Sequence, residues 1–281
     1  MNAIEIRDLS KSYKDFNLEH LNLTLPGGCI MGLVGENGAG KSTTIKLILN
    51  MIHRDGGSIS ILGRDNVTEM QSLKEEIGVV LDEVGFPECL NSKQVNHIMA
   101  LSFKNWDSDY FETLCEKLGV PDQKKFGDYS KGMKMKVGIA AAMSHHPKLL
   151  ILDEATSGLD PVVRDDVLDL LNDFTRDEDH AVLVSSHIVS DLEKICDYIA
   201  FMHQGCLVLC EEKDRLSELY GLIRCTKAQL DELDARAVIG KRQSPYGVEA
   251  VVRRDALPTG MEAGPVDLEA LFVMMVRGSV Q

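Results

Sequence analysis

Residues 35–42 read GENGAGKS, and their types and spacing are those of a loop that binds phosphate. In the pattern G-x-x-x-x-G-K-[ST], backbone N–H groups and a helix N-terminus surround an anion. The apolar segment 29–34 before the loop predicts a short buried strand, and residues 41–50 after it predict a helix. In that context Lys41 reaches the β- and γ-phosphates of a nucleotide, and Ser42 is a ligand of Mg²⁺. We therefore predict a nucleotide-binding site.

Two acidic residues at the end of another apolar segment suit the same chemistry. Residues 149–152 predict a central parallel strand, which Asp153 and Glu154 follow. Asp153 is placed to hold Mg²⁺ directly or through water, and Glu154 to orient or deprotonate a water aimed at the γ-phosphate. His187 follows the apolar segment 181–184 in a similar way. Adjacent acids alone fit a helix cap or a solvated turn equally well, so this assignment depends on the phosphate loop.

The composition excludes several classes of protein. The chain has 281 residues, 44% of them apolar and 26% charged, as in ordinary globular proteins. Its net charge of −14 argues against a nucleic-acid partner, which requires a basic face. Seven cysteines without a C-x-x-C pair indicate reduced thiols rather than a disulfide scaffold. We expect no secretory signal at the N-terminus, and no apolar run approaches the roughly 20 residues of a membrane span.

The elements that must position these residues predict an α/β fold. Residues 1–34 indicate short strands around turns, and residues 84–143 are mostly helical. Apolar strands that alternate with helices favour a sheet with parallel central strands, whose carboxyl ends collect ligands. Residues 199–209 predict a hairpin, and residues 221–281 a small α+β unit with strands on either side of 244–247 and a last helix over 266–277.

Over nearly all of residues 1–220 the chain resembles the ATPase subunit of an ABC transporter. The resemblance is carried by six elements in the family's order, namely an adenine-stacking aromatic at Tyr13, Walker A at 35–42, a signature at 129–133, Walker B at 149–154, a D-loop at 157–160 and a switch histidine at His187. It implies a P-loop cassette with a mixed sheet core, antiparallel strands, a helical signature subdomain at about 84–143 and a C-terminal α+β appendage over 221–281.

The resemblance also implies the site residues and the partners. The residues implied to bind ATP are Tyr13, Gly35, Asn37, Gly38, Ala39, Gly40, Lys41, Ser42, Thr43, Ser130, Gly132 and Asp160. Glu154, His187 and Lys41 would be catalytic, and Ser42, Asp82 and Asp153 would hold Mg²⁺. Two cassettes, as a homodimer or a heterodimer, would pair head to tail, so that one subunit's signature meets the other's ATP. Separate transmembrane permease subunits would hold the protein on the cytoplasmic face of the membrane. Phe86, Leu90 and Trp106 are apolar candidates for the contact, and core packing of the helical subdomain explains them equally well.

Two positions depart from the family pattern. Lys131 replaces the first signature glycine and Met133 the usual glutamine, a form that resembles a subset of bacterial ABC-2 exporter ATPases. Asp82 stands where the family has the glutamine of the Q-loop. A carboxylate still ligates Mg²⁺, so Asp82→Gln is expected to keep ATP binding and hydrolysis within about tenfold, or roughly 1.4 kcal/mol.

Three other functions were weighed against energy coupling in transport. ABC proteins that act on ribosomes usually carry two cassettes and a basic linker, whereas this chain has one cassette and is acidic. ABC ATPases of DNA maintenance insert long coiled coils between the Walker motifs, and here no sustained heptads separate them. A degenerate regulatory cassette is opposed by the retained Lys41, Asp153, Glu154 and His187, although Lys131 and Asp82 keep it as an alternative.

Overall fold

The computed structural model describes residues 1–244 and 247–278. The strands are β1 (Asn2–Ser12), β2 (Asn17–Pro26), β3 (Ile30–Gly35), β4 (Gly56–Ile61), β5 (Arg64–Asp65), β6 (Ile77–Val80), β7 (Leu149–Asp153), β8 (Ala181–Ser186), β9 (Tyr198–His203), β10 (Cys206–Glu212), β11 (Tyr220–Cys225), β12 (Val238–Ser244) and β13 (Gly247–Arg253). The α-helices are α1 (Lys41–Ile48), α2 (Met70–Leu73), α3 (Ser92–Ser102), α4 (Ser108–Lys117), α5 (Lys131–Met143), α6 (Pro161–Phe174), α7 (Val189–Ile195), α8 (Lys213–Leu219), α9 (Lys227–Asp231) and α10 (Leu268–Gly278).

The central sheet has the order β10-β9-β3-β8-β7-β6, and its strands from β9 to β6 run parallel. Every residue of β3, β7 and β8 is buried, which explains their continuous apolar character. The carboxyl ends of β3, β7 and β8 therefore meet at one edge of the sheet. The predicted α/β fold with parallel central strands is confirmed, and β9 and β10 form the predicted hairpin.

The N-terminal antiparallel sheet has the order β2-β1-β4-β5, and its strands are longer than the sequence indicated. β1 is one continuous strand of 11 residues rather than several short ones. Its pairing with β2 shifts register between Ile6 and Leu9, and Asp8 between them has φ 51°. A bulge of this kind breaks the alternation of apolar and polar residues, so the pattern suggested a turn where the strand continues.

The helical part of the cassette begins later than residue 84. The segment from Leu81 to Leu90 contains no helix, and α3 starts at Ser92 behind a capping box formed by Asn91 and Gln94. Gly85 and Pro87 interrupt the earlier stretch, since neither residue favours a helix interior. The helices α3, α4 and α5 then enclose a core around Phe111 and Phe126.

Gly78 of β6 shows how closely α5 packs on the central sheet. A β-carbon on Gly78 would overlap the carbonyl oxygen of Ala142 in α5 and approach Leu150 Cδ2 to 2.6 Å. Gly78→Ala is therefore expected to lower the free energy of unfolding by about 3 kcal/mol, the upper end for overpacking, because a backbone atom cannot move aside cheaply. Urea unfolding followed by circular dichroism measures this change. Gly85→Ala is the matched control, since its β-carbon would enter open space, and an equal loss in both variants would contradict the packing argument.

The last described residues form a third sheet with the order β11-β13-β12. Val248, Ala250 and Val252 of β13 belong to a small apolar core with α9, whereas Val251 belongs to the main core together with α10. Phe272 of α10 contacts Phe201 of β9, with ring centroids 5.2 Å apart. The third sheet is thus joined to the cassette through α10. Of the predicted turn at 244–247, residues 245 and 246 lie outside the described residues.

Over the described residues, no helix has both the length and the apolar character required to cross a membrane.

Candidate functional site, a nucleotide cleft

The phosphate loop connects β3 to α1 as predicted. Gly38 and Gly40 have φ of 84° and 112°, which favour glycine. Gly35 admits no side chain, because a β-carbon there would lie 2.6 Å from the carbonyl oxygen of Met202. Gly40 caps α1 without a side-chain acceptor. The first N–H groups of α1 therefore have no capping side chain, as a site for phosphate requires.

Lys41 is 5% exposed and lies inside the loop that it follows. Its Nζ donates to the carbonyl oxygens of Gly35 at 2.7 Å and of Glu36 at 3.2 Å. Glu154 Oε1 lies 3.5 Å from the same nitrogen. Two backbone carbonyl oxygens therefore hold the Lys41 ammonium in position, and the Glu154 carboxylate lies beside it as a counter-ion.

Glu154 connects Lys41 to His187. Glu154 Oε2 and His187 Nδ1 are 2.6 Å apart. The backbone of Glu154 has φ 54°, a left-handed conformation that costs energy for a residue with a side chain. Its N–H donates to Ser185, which holds this turn against the end of β8. The structure thus brings together three residues from the carboxyl ends of β7 and β8 and from the loop after β3.

Asp153 is buried, with 4% exposure, and Ser185 Oγ donates to its Oδ1 at 2.6 Å. The two residues are neighbours in the parallel pairing of β7 and β8. Ser185 is not among the site residues predicted from the sequence. The available signal was a polar residue at the end of an apolar strand, directly before Ser186 and His187.

The donor set at this edge fits Mg²⁺. Ser42 supplies a hydroxyl at the start of α1, and Asp153 supplies a buried carboxylate whose Oδ2 makes no hydrogen bond within the described chain. Mg²⁺ prefers oxygen ligands, and in nucleotide sites one or two protein ligands suffice because phosphates and water supply the rest. The described residues contain no cluster of three or more His, Cys, Asp or Glu side chains that could hold a metal ion without a nucleotide.

Lys41, Glu154 and His187 line one cleft of about 730 Å³, called here the nucleotide cleft, together with most of the phosphate loop, Tyr13, Asp82 and Lys131. Asp153 does not line it, because its side chain is buried at the end of β7. Tyr13 is 46% exposed at its mouth, and its ring centroid lies 6.5 Å from that of Phe16. Ser157 of the predicted D-loop also lines the cleft, as do Asp15, Phe16 and Glu36, which are not among the predicted site residues. Phe16 is apolar and lies near Tyr13 in a loop, so the sequence offered no reason to separate it from core residues.

Five residues of the predicted ATP-binding set do not line this cleft. Gly35 and Ala39 are buried within the phosphate loop, and Ser130, Gly132 and Asp160 lie at the starts of α5 and α6. Ser130 caps α5, where its Oγ accepts from the N–H of Met133 at 3.3 Å, and Asp160 caps α6 by accepting from the N–H of Val163 at 3.1 Å. Gly132 packs on the D-loop, since a β-carbon there would lie 3.2 Å from the carbonyl oxygen of Gly158. Within one chain, therefore, Lys131 is the signature residue that lines the cleft, and Ser130 and Gly132 do not.

Asp82 and Lys131, the two departures from the family pattern, form an ion pair. Lys131 Nζ donates to Asp82 Oδ1 at 2.6 Å, and both side chains are about half exposed. The carboxylate predicted to hold a metal therefore already has a cation at one oxygen.

A second cavity, of about 570 Å³, lies between the central sheet and the helices. We call it the apolar groove and define it by its lining residues Met51, Met70, Phe86, Met99 and Phe103. His145 also lines it, stacked on the Phe103 ring at 4.2 Å, and burial lowers the pKa of this histidine.

Of the three apolar candidates for a partner contact, only Phe86 lines this groove. Leu90 packs against the helical core. Trp106 Nε1 donates to Asn96 Oδ1 at 2.7 Å, and its ring lies 5.5 Å from that of Phe111. Trp106 does not line the groove and packs between Phe103 and Phe111.

Known proteins share both the sequence and the fold of this chain. Residues 18–157 match the family model described as ABC transporter. A bacitracin transport ATP-binding protein of Enterococcus faecalis is 34% identical over 221 residues, which cover 78% of this chain and 71% of the relative. A lantibiotic transport ATP-binding protein of Streptococcus pyogenes is 34% identical over 227 residues, which cover 77% of this chain and 95% of that relative.

A solved ATP-binding subunit of an ABC transporter superposes with a TM-score of 0.69 at 28% identity, covering 76% of this chain and 91% of that one. The chain therefore belongs to the ATP-binding subunits of ABC transporters, and ATP is the nucleotide that it binds and hydrolyses.

Proposed function

We propose that the chain hydrolyses Mg²⁺·ATP with Lys41, Glu154 and His187 as its catalytic residues. The observation that carries this proposal is the continuous contact from Lys41 through Glu154 to His187 at the carboxyl ends of the central strands. Lys41 holds the β- and γ-phosphates, Glu154 accepts a proton from the attacking water, and His187 orients that water and the γ-phosphate. Gly35, Asn37, Gly38, Ala39, Gly40, Ser42 and Thr43 surround the phosphates, and Tyr13 stacks on the adenine.

Mg²⁺, when bound, neutralises charge on the β- and γ-phosphates. Ser42 and Asp153 are the chain's proposed ligands, held ready by the start of α1 and by the Ser185 hydrogen bond. Asp82 is a third candidate at the wall of the cleft, with Oδ1 already held by Lys131. Metal dependence is tested by measuring hydrolysis in EDTA and after Mg²⁺ is restored.

We propose that two subunits close on two ATP molecules. Ser130 and Gly132 at the start of α5, and Asp160 at the start of α6, lie outside their own cleft and are free to meet the nucleotide of a second subunit. A helix N-terminus attracts a phosphate. Size exclusion with and without ATP tests the pairing, and a dimer formed by the purified chain alone supports a homodimer over a heterodimer.

The subunit would power export through separate permease subunits and so lie at the cytoplasmic face of the membrane. The relatives' names assign them to bacitracin and lantibiotic transport. The apolar groove supports a permease contact, because its methionines and aromatics suit an amphipathic helix. Mass spectrometry of proteins that co-purify from detergent-solubilised membranes tests this proposal. A multi-span protein in stoichiometric amount supports it, and recovery from the soluble fraction alone overturns it.

The groove also gives a mutational prediction. Met51 is 55% exposed and lines the groove, so Met51→Asp is expected to lower permease recovery at least tenfold, since a charge would be buried at the contact. ATP hydrolysis by the isolated subunit stays within about twofold, because Met51 lies outside the nucleotide cleft. Leu101→Asp is the matched control, as Leu101 is 78% exposed and outside the groove. Equal recovery with both variants would place the permease contact elsewhere.

A further inference from the structure

Lys131 connects three segments that border the nucleotide cleft. It is the first residue of α5, and its ammonium reaches back to Asp82, in the loop after β6. Its side chain passes the D-loop, since a β-carbon on Gly158 would lie 3.8 Å from Lys131 Cδ. Gly132 packs on the same loop. Lys131 therefore contacts Asp82 and the D-loop of its own chain, whereas the signature to which it belongs is expected to face a second subunit.

The charges around the cleft indicate what the ion pair between Lys131 and Asp82 does. Four acids line the cleft, namely Asp15, Glu36, Asp82 and Glu154, and ATP carries several negative charges into it. Glu154 has Lys41 and His187 beside it, and Asp82 has Lys131 at 2.6 Å. A carboxylate without its cation would repel the phosphates of ATP, and this repulsion would act at separations up to about the Debye length.

We propose that Lys131 is a positioning residue for the ATP of its own chain, which acts by neutralising Asp82 and holding that carboxylate to the cleft wall. This inference rests on the proposed function only in that ATP occupies this cleft. Its consequence is that the two residues depend on each other. Lys131 matters because Asp82 is present, and it becomes dispensable when Asp82 is replaced by a neutral residue.

A double-mutant cycle on ATP affinity tests this dependence. The dissociation constant of a fluorescent ATP analogue is measured on monomeric protein in EDTA, at low and high salt. Lys131→Gln is expected to weaken binding about three- to tenfold at low salt, and less at high salt because the bare carboxylate is screened. In the Asp82→Gln background the further change Lys131→Gln is expected to alter the dissociation constant by no more than about twofold, so the effects of the two changes do not add. Lys131→Arg keeps the cation and restores wild-type affinity.

Lys136→Gln is the charge-matched control, because it removes a lysine of the same helix that does not line the cleft. Thermal unfolding of each variant separates loss of affinity from loss of structure. With Mg²⁺ present, Lys131→Gln should raise KM for ATP and leave kcat within about twofold, as expected for an effect on binding alone.

Two results would overturn the inference. Equal weakening by Lys131→Gln in the wild-type and Asp82→Gln backgrounds would mean that Lys131 contacts ATP directly. Unchanged affinity of the monomer combined with lost ATP-driven dimerisation would assign Lys131 to the partner's nucleotide. If wild type and Lys136→Gln both fail to bind the analogue, the proposed function itself fails. If both bind it and only the predicted dependence between Lys131 and Asp82 is absent, the inference alone fails.

Discussion

Glu154→Gln is expected to bind ATP, to lower kcat by at least about 100-fold and to accumulate as an ATP-bound dimer. A general base contributes roughly 10²- to 10⁴-fold, and glutamine keeps the shape of the side chain but accepts no proton from water at neutral pH. The substitution also removes the negative charge 3.5 Å from Lys41, which competes with the γ-phosphate for the ammonium. ATP affinity should therefore stay equal or increase while turnover stops.

The measurement combines steady-state hydrolysis with size exclusion in Mg²⁺·ATP. The dimer should persist for Glu154→Gln and disappear for wild type as ATP is consumed. Glu116→Gln is a suitable control, because Glu116 is an exposed acid on α4 outside the cleft. Hydrolysis by Glu154→Gln at the wild-type rate would remove Glu154 from the role of general base.

Lys41→Ala is expected to weaken ATP binding by about 100-fold. Hydrogen bonds to a charged group contribute about 1.5 to 3 kcal/mol, and the upper value corresponds to that factor. The pocket of Lys41 is already formed, since Nζ is held by the carbonyl oxygens of Gly35 and Glu36. ATP therefore binds to a preorganised cation, and removal of the Lys41 ammonium raises the dissociation constant for ATP and also lowers kcat.

Isothermal titration with ATP measures the change directly. Lys46→Ala removes a lysine from the exposed side of the same helix, and its affinity should stay within about twofold of wild type. Lys41→Arg should not rescue binding, because a planar guanidinium does not fit a site that leaves the lysine 5% exposed. Full affinity in Lys41→Arg would indicate that charge alone is sufficient.

The phosphate loop could be predicted because its chemistry is local. Residues 35–42 are contiguous, and the apolar segments beside them predict the strand and the helix that shape the loop. Asp153, Glu154 and His187 were found by the same reasoning, since each follows a buried strand and parallel strands end at a common edge. The family and the α/β fold followed from the order of these motifs, and both are confirmed.

Local patterns failed where the backbone departs from regular geometry. Short strands were predicted at the N-terminus, and the bulge at Asp8 interrupts the alternating pattern of what is one long strand. The helical part was predicted to begin at about residue 84, but the segment after β6 is not helical and the first helix begins at Ser92. Trp106 was one of three apolar candidates for a partner contact, and the sequence alone did not show that its ring packs on Phe111 of its own chain.

By itself, the sequence determined which residues carry the chemistry, namely the phosphate loop, the strand-end acids and the histidine. Only the tertiary structure decided which of them meet. Lys41 and Glu154 are 113 positions apart, and Asp82 and Lys131 are 49 apart. Their contacts depend on the strand order β3-β8-β7-β6 and on where α5 docks. Pairings at such separations arise from packing of whole elements, which no local pattern of residues records.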